Sequence, residues 1–194
     1  LQLIQSMLRR QQRRLHNTEA IQALQESWDR VMAISLVHDT LYQSNNLAQI
    51  DLADYIPAIV QQVAASYAEQ AVAIAINTQI QSVIVPMKKA ICCGLILNEL
   101  LTNAFKYAFP DNVQGQIDVI VSWLETAPSP TVQIQLKDNG IGLPETIQLN
   151  HLQTLGLDLV QDFVTQLKGT LTIELNSGTQ FLMTFPVKHR TPYD

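Results

Sequence analysis

Long apolar runs are missing from this chain. The two longest, over residues 71–76 and 90–97, fall far below the roughly 18 to 20 residues that a membrane-spanning helix requires. Direct membrane insertion of this segment is therefore excluded, and a soluble protein is expected. Charge is also sparse: 15% of residues are charged, the formal net charge is -5, and the only basic cluster is Arg9-Arg10 with Arg13-Arg14. Binding along a nucleic-acid backbone needs clustered Lys and Arg, so no nucleic acid is expected among the partners. There are 2 cysteines, the adjacent pair Cys92-Cys93 in a helical stretch. That pair suits neither an ordinary disulfide nor a zinc site without other ligands. Small buried thiols in a reducing compartment fit it better, and with no signal peptide in view the expected location is cytoplasmic. Internal repeats and low-complexity tracts are absent too.

With 47% hydrophobic residues and a mean hydropathy of +0.08, the chain can bury a sizeable core. One compact domain plus a smaller element fits. Neither glycine nor proline occurs from Leu1 to Gln43, and apolar residues recur there at helical spacing. Leu1, Ile4, Leu8 and Leu15 mark a first helix. Ile21, Leu24, Trp28, Val31, Ser35, His38 and Tyr42 mark a second, in the a/d pattern of a packed bundle. The link His16-Asn17-Thr18 separates them, with Asn17 or Thr18 as N-cap and Glu19 in the first turn. So short a link makes the helices antiparallel. Two helices alone bury little, so the hairpin is expected to pair with a second copy as a four-helix bundle, making the protein a homodimer.

Beyond Ser44-Asn45-Asn46, a helix over 52–68 carries Ile56, Ile59, Val60, Val63 and Tyr67 on one side, with Pro57 near its start. Residues 71–76 and 82–85 read as strands, and Pro86 opens a long central helix that stops at Pro110. Strands follow over 117–124 and 132–136. A loop covers 142–154, a helix covers 157–167 and closes on Lys168-Gly169, and Leu171-Ile173-Leu175 with Phe181-Met183-Phe185 form a terminal hairpin. The expected fold class is α+β: an N-terminal antiparallel helical hairpin over 1–46, then a two-layer α/β sandwich with a mixed sheet over 47–194.

The central helix carries the chemistry. Glu99, Asn103, Lys106 and Tyr107 fall on one face at helical pitch, with Leu97, Leu101, Ala104 and Ala108 behind them. A carboxylate, an amide and an ammonium on one face suit a phosphate and metal site, although any solvated helix face shows polar residues in this way. Three downstream stretches add specificity. In Asp138-Asn139-Gly140-Ile141-Gly142 at a strand end, glycines let the backbone approach a flat ligand while a carboxylate accepts from an exocyclic amine. Leu155-Gly156-Leu157 at a helix start offers free N–H groups to phosphate. Ser177-Gly178-Thr179 turns the last hairpin.

Their joint order and context resemble the Bergerat-fold (GHKL) ATPase family, shared by histidine kinases and gyrase B, over about residues 51–187. The leading hairpin makes the chain resemble sensor histidine kinases in particular. The stretches Leu1-Gln2-Leu3-Ile4-Gln5-Ser6-Met7-Leu8-Arg9, Ala33-Ile34-Ser35-Leu36-Val37-His38-Asp39-Thr40-Leu41-Tyr42 and Asn98-Glu99-Leu100-Leu101-Thr102-Asn103-Ala104 look like the subclass related to the HWE kinases. Trp28 and Trp123 lie away from the place of the Trp-x-Glu signature, which favours the sister group.

The resemblance implies ATP and Mg²⁺ as cofactors. Asn103 ligates the metal through its amide oxygen, Lys106 contacts phosphate, Tyr107 packs near the nucleoside, and Glu99 orients water or metal with Asn98 as an auxiliary. Asp138 reads the adenine amine, Gly140 and Gly142 shape the pocket, Leu155, Gly156 and Leu157 hold the phosphates, and Thr179 lies near the adenine. A lid is expected over 143–155. The phosphorylated histidine of such kinases lies a few residues before the Leu-Gln that here is Leu1-Gln2, so the acceptor is expected upstream. His38 on the helical seam reads as a packed side chain, and His16, His151 and His189 find no role. The implied function is a sensor kinase that phosphorylates a histidine from Mg-ATP and passes the group to a response-regulator receiver domain, under an upstream sensory domain. The alternative is a non-catalytic phosphotransfer or scaffold protein of the same architecture. The intact motif set disfavours that alternative, and the leading hairpin disfavours a gyrase-like clamp.

Overall fold

The structure, a computed structural model, describes residues 6–7, 10–11, 17–43, 49–71, 73–110, 113–125, 129–142 and 155–188. Most of the predicted first helix, His16, residues 143–154 of the lid predicted over 143–155 with His151, and the tail with His189 lie outside the described residues, as do the side chains of His38 and Tyr42.

Helix α1 spans Thr18–Gln43. Of the two candidate caps, Asn17 is the one used: its Oδ1 accepts from the amide of Ala20 at 3.2 Å. Strand β1 (Gln49–Asp51) leads directly into α2 (Leu52–Ser66), for which Asp51 is the N-cap. The Asp51 carboxylate accepts from the amides of Ala53 and Val83 through Oδ1 and from the Ser82 hydroxyl through Oδ2, so one side chain caps a helix and pins the segment that precedes β3. Pro57 lies in the second turn of α2, near its start as expected.

The strand expected over 71–76 is displaced. Residues Ala68–Ala71 continue as a short helix α3, and β2 runs Ile74–Ile80. Strand β2 is an edge strand in the sheet order β2-β4-β5-β7-β6, and its Asn77, Thr78 and Gln79 are exposed. An edge strand exposed in this way needs no apolar run, which is why hydrophobicity did not mark its second half. Strand β3 (Ile84–Pro86) begins two residues later than expected and pairs antiparallel with β1 as a separate two-stranded ribbon.

Helix α4 (Met87–Asn103) starts after Pro86 as anticipated, and the chain then widens into a π turn over Ala104–Ala108. Strands β4 (Gly115–Trp123) and β5 (Thr131–Asp138), helix α5 (Leu155–Leu167), and strands β6 (Thr170–Glu174) and β7 (Gln180–Pro186) complete the order. The β2–β4 pair is parallel and the other three pairs of this sheet are antiparallel, so the sheet is mixed. A parallel pair needs a crossover, and α4 lies within it.

One face of the sheet is apolar. Ile117, Val119 and Val121 of β4, Val132, Ile134 and Leu136 of β5, and Phe181, Met183 and Phe185 of β7 are all buried there, at alternate positions. The helices cover that face. Helix α4 is buried along nearly its whole length because α1, α2 and α5 all pack on it. At Gly94 a β-carbon would lie 2.0 Å from the Tyr55 Oη, so only glycine lets α2 approach α4 this closely. The same hydroxyl donates to the carbonyl oxygen of Ala33 at 2.9 Å, tying α1 to α2.

Helix α5 ends differently from the expected glycine cap. Lys168 takes the left-handed conformation (φ 57°), with its amide on the Thr165 carbonyl and the Gly169 amide on the Val164 carbonyl, a Schellman pattern. Gly169 serves close approach instead, since a β-carbon there would meet the Thr184 carbonyl oxygen at 2.4 Å. Among the described residues, no helix is long and apolar enough to cross a membrane.

Candidate functional site

Helix α4 positions Asn98, Glu99 and Asn103. The expected polar face is not open to water at its centre, because α1 lies across it. Glu99 is buried and its two carboxylate oxygens accept from Arg30 of α1, Oε1 from Nε at 2.5 Å and Oε2 from the terminal guanidinium nitrogen at 2.9 Å. Lys106 pairs with Glu26, one helical turn earlier on α1. As the number rises along α1 it falls along α4, so the two helices cross antiparallel with matched charges. Hydrogen bonding to Glu99 raises the Arg30 guanidinium. Burial, the largest single influence, lowers the Lys106 ammonium, but its bond to Glu26 together with the charges of Tyr67, Glu26 and Tyr107 outweighs that and the net shift is upward.

The π turn breaks the expected single face. Each residue of a π segment turns through a smaller angle than in an α-helix, so Lys106 and Tyr107 no longer project as the α-helical wheel places them. Lys106 tucks under α1, whereas Tyr107 is 62% exposed. Asn103, the last residue before the widening, is half-buried, and Asn98 is buried with its amide oxygen lacking a hydrogen-bond partner among the described residues.

Asp138 closes β5 on the sheet's apolar face, continuing the parity of Val132, Ile134 and Leu136. Its Oδ1 accepts from the amides of Gly140 at 2.9 Å and Thr179 at 3.2 Å, while burial drives the carboxyl above its ordinary value despite those bonds. The strand end is wedged against the π turn. The Ile141 amide donates to the Ala108 carbonyl at 2.9 Å, and a β-carbon on Gly140 would meet that same oxygen at 2.3 Å. Gly178, at φ 122°, approaches the Asp138 carbonyl so closely that a β-carbon would lie 2.0 Å from it, and Gly142 stands against Gly178 in turn. Thus Asp138, Gly140, Gly142 and Thr179 form one cluster beside Ala108, at the far end of the π turn from Asn103.

Gly156 belongs to the first turn of α5, which begins two residues before the start that the sequence predicted. A β-carbon there would be 2.9 Å from Oε2 of Glu99. The helix start and the acidic residue of α4 are therefore neighbours. Leu157 packs on the core as a half-buried side chain, and the Leu155 side chain lies outside the described set. Among the described residues, no three His, Cys, Asp or Glu side chains gather to hold a metal. A divalent ion at Asn103 would therefore be held mainly by oxygens of a phosphate ligand. Asn103 supplies a hard amide oxygen of the kind Mg²⁺ accepts, and it is only half-buried.

Sequence reasoning missed Glu26 and Arg30. Their signal was present: Glu26, Asp29, Arg30, Ala33 and Val37 form a second stripe on α1, opposite the predicted seam of Ile21, Leu24, Trp28, Val31 and Ser35. Asp29, Ala33 and Val37 of that stripe are buried.

Comparison with known proteins bears directly on this arrangement. Residues 1–67 match the family described as "Histidine kinase", and residues 90–189 match that described as "Histidine kinase-, DNA gyrase B-, and HSP90-like ATPase". The chain belongs to the sensor histidine kinases. This histidine kinase chain is 30% identical over 198 residues to sensor histidine kinase PdtaS of Mycobacterium tuberculosis (strain ATCC 25618 / H37Rv), covering 98% of this chain and 38% of that one. It is 32% identical over 203 residues to the PdtaS of Mycolicibacterium smegmatis, again covering 98% and 38%. The chain thus spans 38% of the length of these curated relatives. The histidine kinase domain of the Erythrobacter litoralis EL346 blue-light activated histidine kinase superposes with a TM-score of 0.75 at 22% identity, covering 95% of this chain and 93% of that one. That likeness establishes the mixed α+β kinase fold.

Proposed function

We propose that this chain is the catalytic core of a sensor histidine kinase that binds Mg-ATP and transfers the γ-phosphoryl group to a histidine, from which it passes to an aspartate on a response-regulator receiver domain. The helical hairpin over 1–46 forms the dimerisation and phosphotransfer part, and residues 47–194 form the ATP-binding part. In this reading Asp138 accepts from the adenine amine, with Gly140, Gly142 and Thr179 shaping the base pocket and Tyr107 beside the nucleoside. Asn103 gives its amide oxygen to Mg²⁺, which offsets phosphate charge when bound. Lys106 reaches phosphate, the start of α5 at Leu155-Gly156-Leu157 receives the phosphate chain, and Glu99 with Asn98 orders the reacting end. Neutral imidazole is a competent nucleophile near neutral pH, so catalysis rests on positioning and charge neutralisation.

The observation that carries this reading is the placement of Gly156 against Glu99 while Asp138 closes the other end of the same helical wall at Ala108. Gly140 and Gly156 adjoin that wall at Ala108 and Glu99, and Gly178 and Thr179 adjoin Asp138 in turn. The opposed faces of α1 support the dimer. One meets α2 and α4, and the half-buried seam of Ile21, Leu24, Trp28, Val31 and Ser35 points the other way. Incubating the whole protein with γ-labelled ATP and Mg²⁺ tests the proposal. Acid-labile, base-stable phosphate on the protein is the expected product, and its absence from folded, nucleotide-bound protein counts against the kinase.

A further inference from the structure

The two charged side chains assigned above to the phosphate end are both already engaged by α1. We propose that Glu26 and Arg30 form a latch: while α1 is docked they hold Lys106 and Glu99, and Mg-ATP must take those side chains from them. Nucleotide binding and loosening of α1 are then coupled. This rests on the reading of Lys106 and Glu99 as phosphate-end residues.

The geometry favours a single device over two separate surface pairs. Glu26 and Arg30 are one turn apart on α1, and their partners lie on one side of α4 and the π turn, so a rigid displacement of α1 parts both pairs at once. Neither pair is loosely solvated: the side chains of Glu99 and Lys106 are 7% and 12% exposed. The docked position is held by buried Ala33 and Val37 and by the Tyr55 hydroxyl on the Ala33 carbonyl. It also carries a penalty between the two pairs. Asp29 is buried, its Oδ1 shared by Gln25 and Ser66, while its Oδ2 has no hydrogen-bond partner among the described residues. An unsatisfied buried carboxylate oxygen opposes docking and brings the docked and released positions closer in free energy.

The sign of the coupling follows from charge. The α1 face over the site carries Glu26 and Asp29 against the single cation Arg30, so a triphosphate arriving beneath it meets a net negative surface. It also competes with Glu26 for Lys106. By reciprocity, the factor by which bound nucleotide favours the released α1 equals the factor by which release of α1 tightens nucleotide binding.

Calorimetric titration of the whole protein with Mg-ATP, wild type against Glu26→Gln, together with amide hydrogen exchange of α1 in the unmutated protein with and without Mg-ATP, decides the matter. Glu26→Gln is expected to bind roughly two- to tenfold more tightly at low salt, with the gain shrinking at high salt. Saturating Mg-ATP is expected to speed exchange across residues 18–43. Unchanged or weaker binding by a folded Glu26→Gln variant, or slowed exchange in α1, overturns the latch and leaves the ATP site standing. Failure of the wild type to bind nucleotide overturns both. Should the variant not fold, exchange in the wild type alone separates a latch that opens from one that does not.

Discussion

Asp138 and Thr179 are tied twice through the backbone of Thr179. The Asp138 amide donates to the Thr179 carbonyl at 2.9 Å, and the Thr179 amide returns to Oδ1 of Asp138 at 3.2 Å. The first bond fixes where the strand end sits against the last hairpin, and the second fixes which carboxylate oxygen is used by the backbone. The amides of Gly140 and Thr179 both go to Oδ1 and the Thr179 side chain also bonds the carboxylate; Oδ2 is the oxygen offered to an adenine amine in the proposed reading.

Replacement of Asp138 by Asn therefore separates recognition from structure. Asn keeps an acceptor for the amides of Gly140 and Thr179 but turns a donor toward the base, where donor meets donor. ATP affinity should fall by about tenfold or more, the order expected when a buried polar group of a site is left unpaired. Equal ATP affinity by calorimetry would show that Asp138 does not read the base.

Gly178 is expected to be intolerant. Its φ of 122° is strained for any L side chain, and a β-carbon would stand 2.0 Å from the Asp138 carbonyl oxygen. Gly178→Ala should cost about 1–3 kcal/mol of stability, read from denaturant unfolding, and weaken ATP binding with it. A variant as stable as wild type contradicts the turn geometry.

Gly94 makes a parallel claim about packing alone. A methyl there collides with the Tyr55 ring and hydroxyl, so Gly94→Ala must push α2 from α4 and strain the bond from Tyr55 to Ala33. A loss of about 1–3 kcal/mol is expected. Simultaneous Tyr55→Phe should recover part of it, since the clash is worst at the hydroxyl, and a double variant no better than the single one would count against this contact.

The buried carboxylates set a pH dependence. Burial is the leading cause that raises both Asp29 and Asp138 above 3.8. The folded protein therefore holds these protons more tightly than the unfolded chain. Their contribution is most favourable below 3.8, declines as pH rises through the window between 3.8 and the folded values, and is fully lost above that window. Lys106 and Glu99 face Asp29 with opposing effects, and the bonds from Ser66 and Gln25 temper the rise. Asp29→Asn should flatten the fall of unfolding midpoint with rising pH relative to wild type. Superimposable profiles would show that Asp29 does not titrate in this window.

Much of this was legible because local and global signals agree. Pro86 and Pro110 bracket the central helix, and the alternation of Phe181, Met183 and Phe185 is the buried face of β7. The Asp138-Asn139-Gly140-Ile141-Gly142 motif marked Asp138, and in the structure the parity of Val132, Ile134 and Leu136 carries on to it. Three features were not legible, each for a physical reason. Strand β2 is polar past Ile76 because it lies at an edge. Lys168 adopts the left-handed cap because Gly169 is taken up by the close passage of β7. The role of Arg30 and Glu26 depends on which of two opposed faces of α1 meets α4, and a pattern read for one apolar seam conceals the other.

Titration of the protein with ATP, run once with Mg²⁺ and once with a chelator, for wild type and Asn103→Ala, decides whether this fold holds a metal-dependent nucleotide site. Saturable one-to-one binding that tightens by about tenfold or more with Mg²⁺ is expected, with loss of that metal-dependent gain in the variant. No saturable binding by the folded wild type, or an affinity indifferent to both Mg²⁺ and Asn103, would contradict such a site.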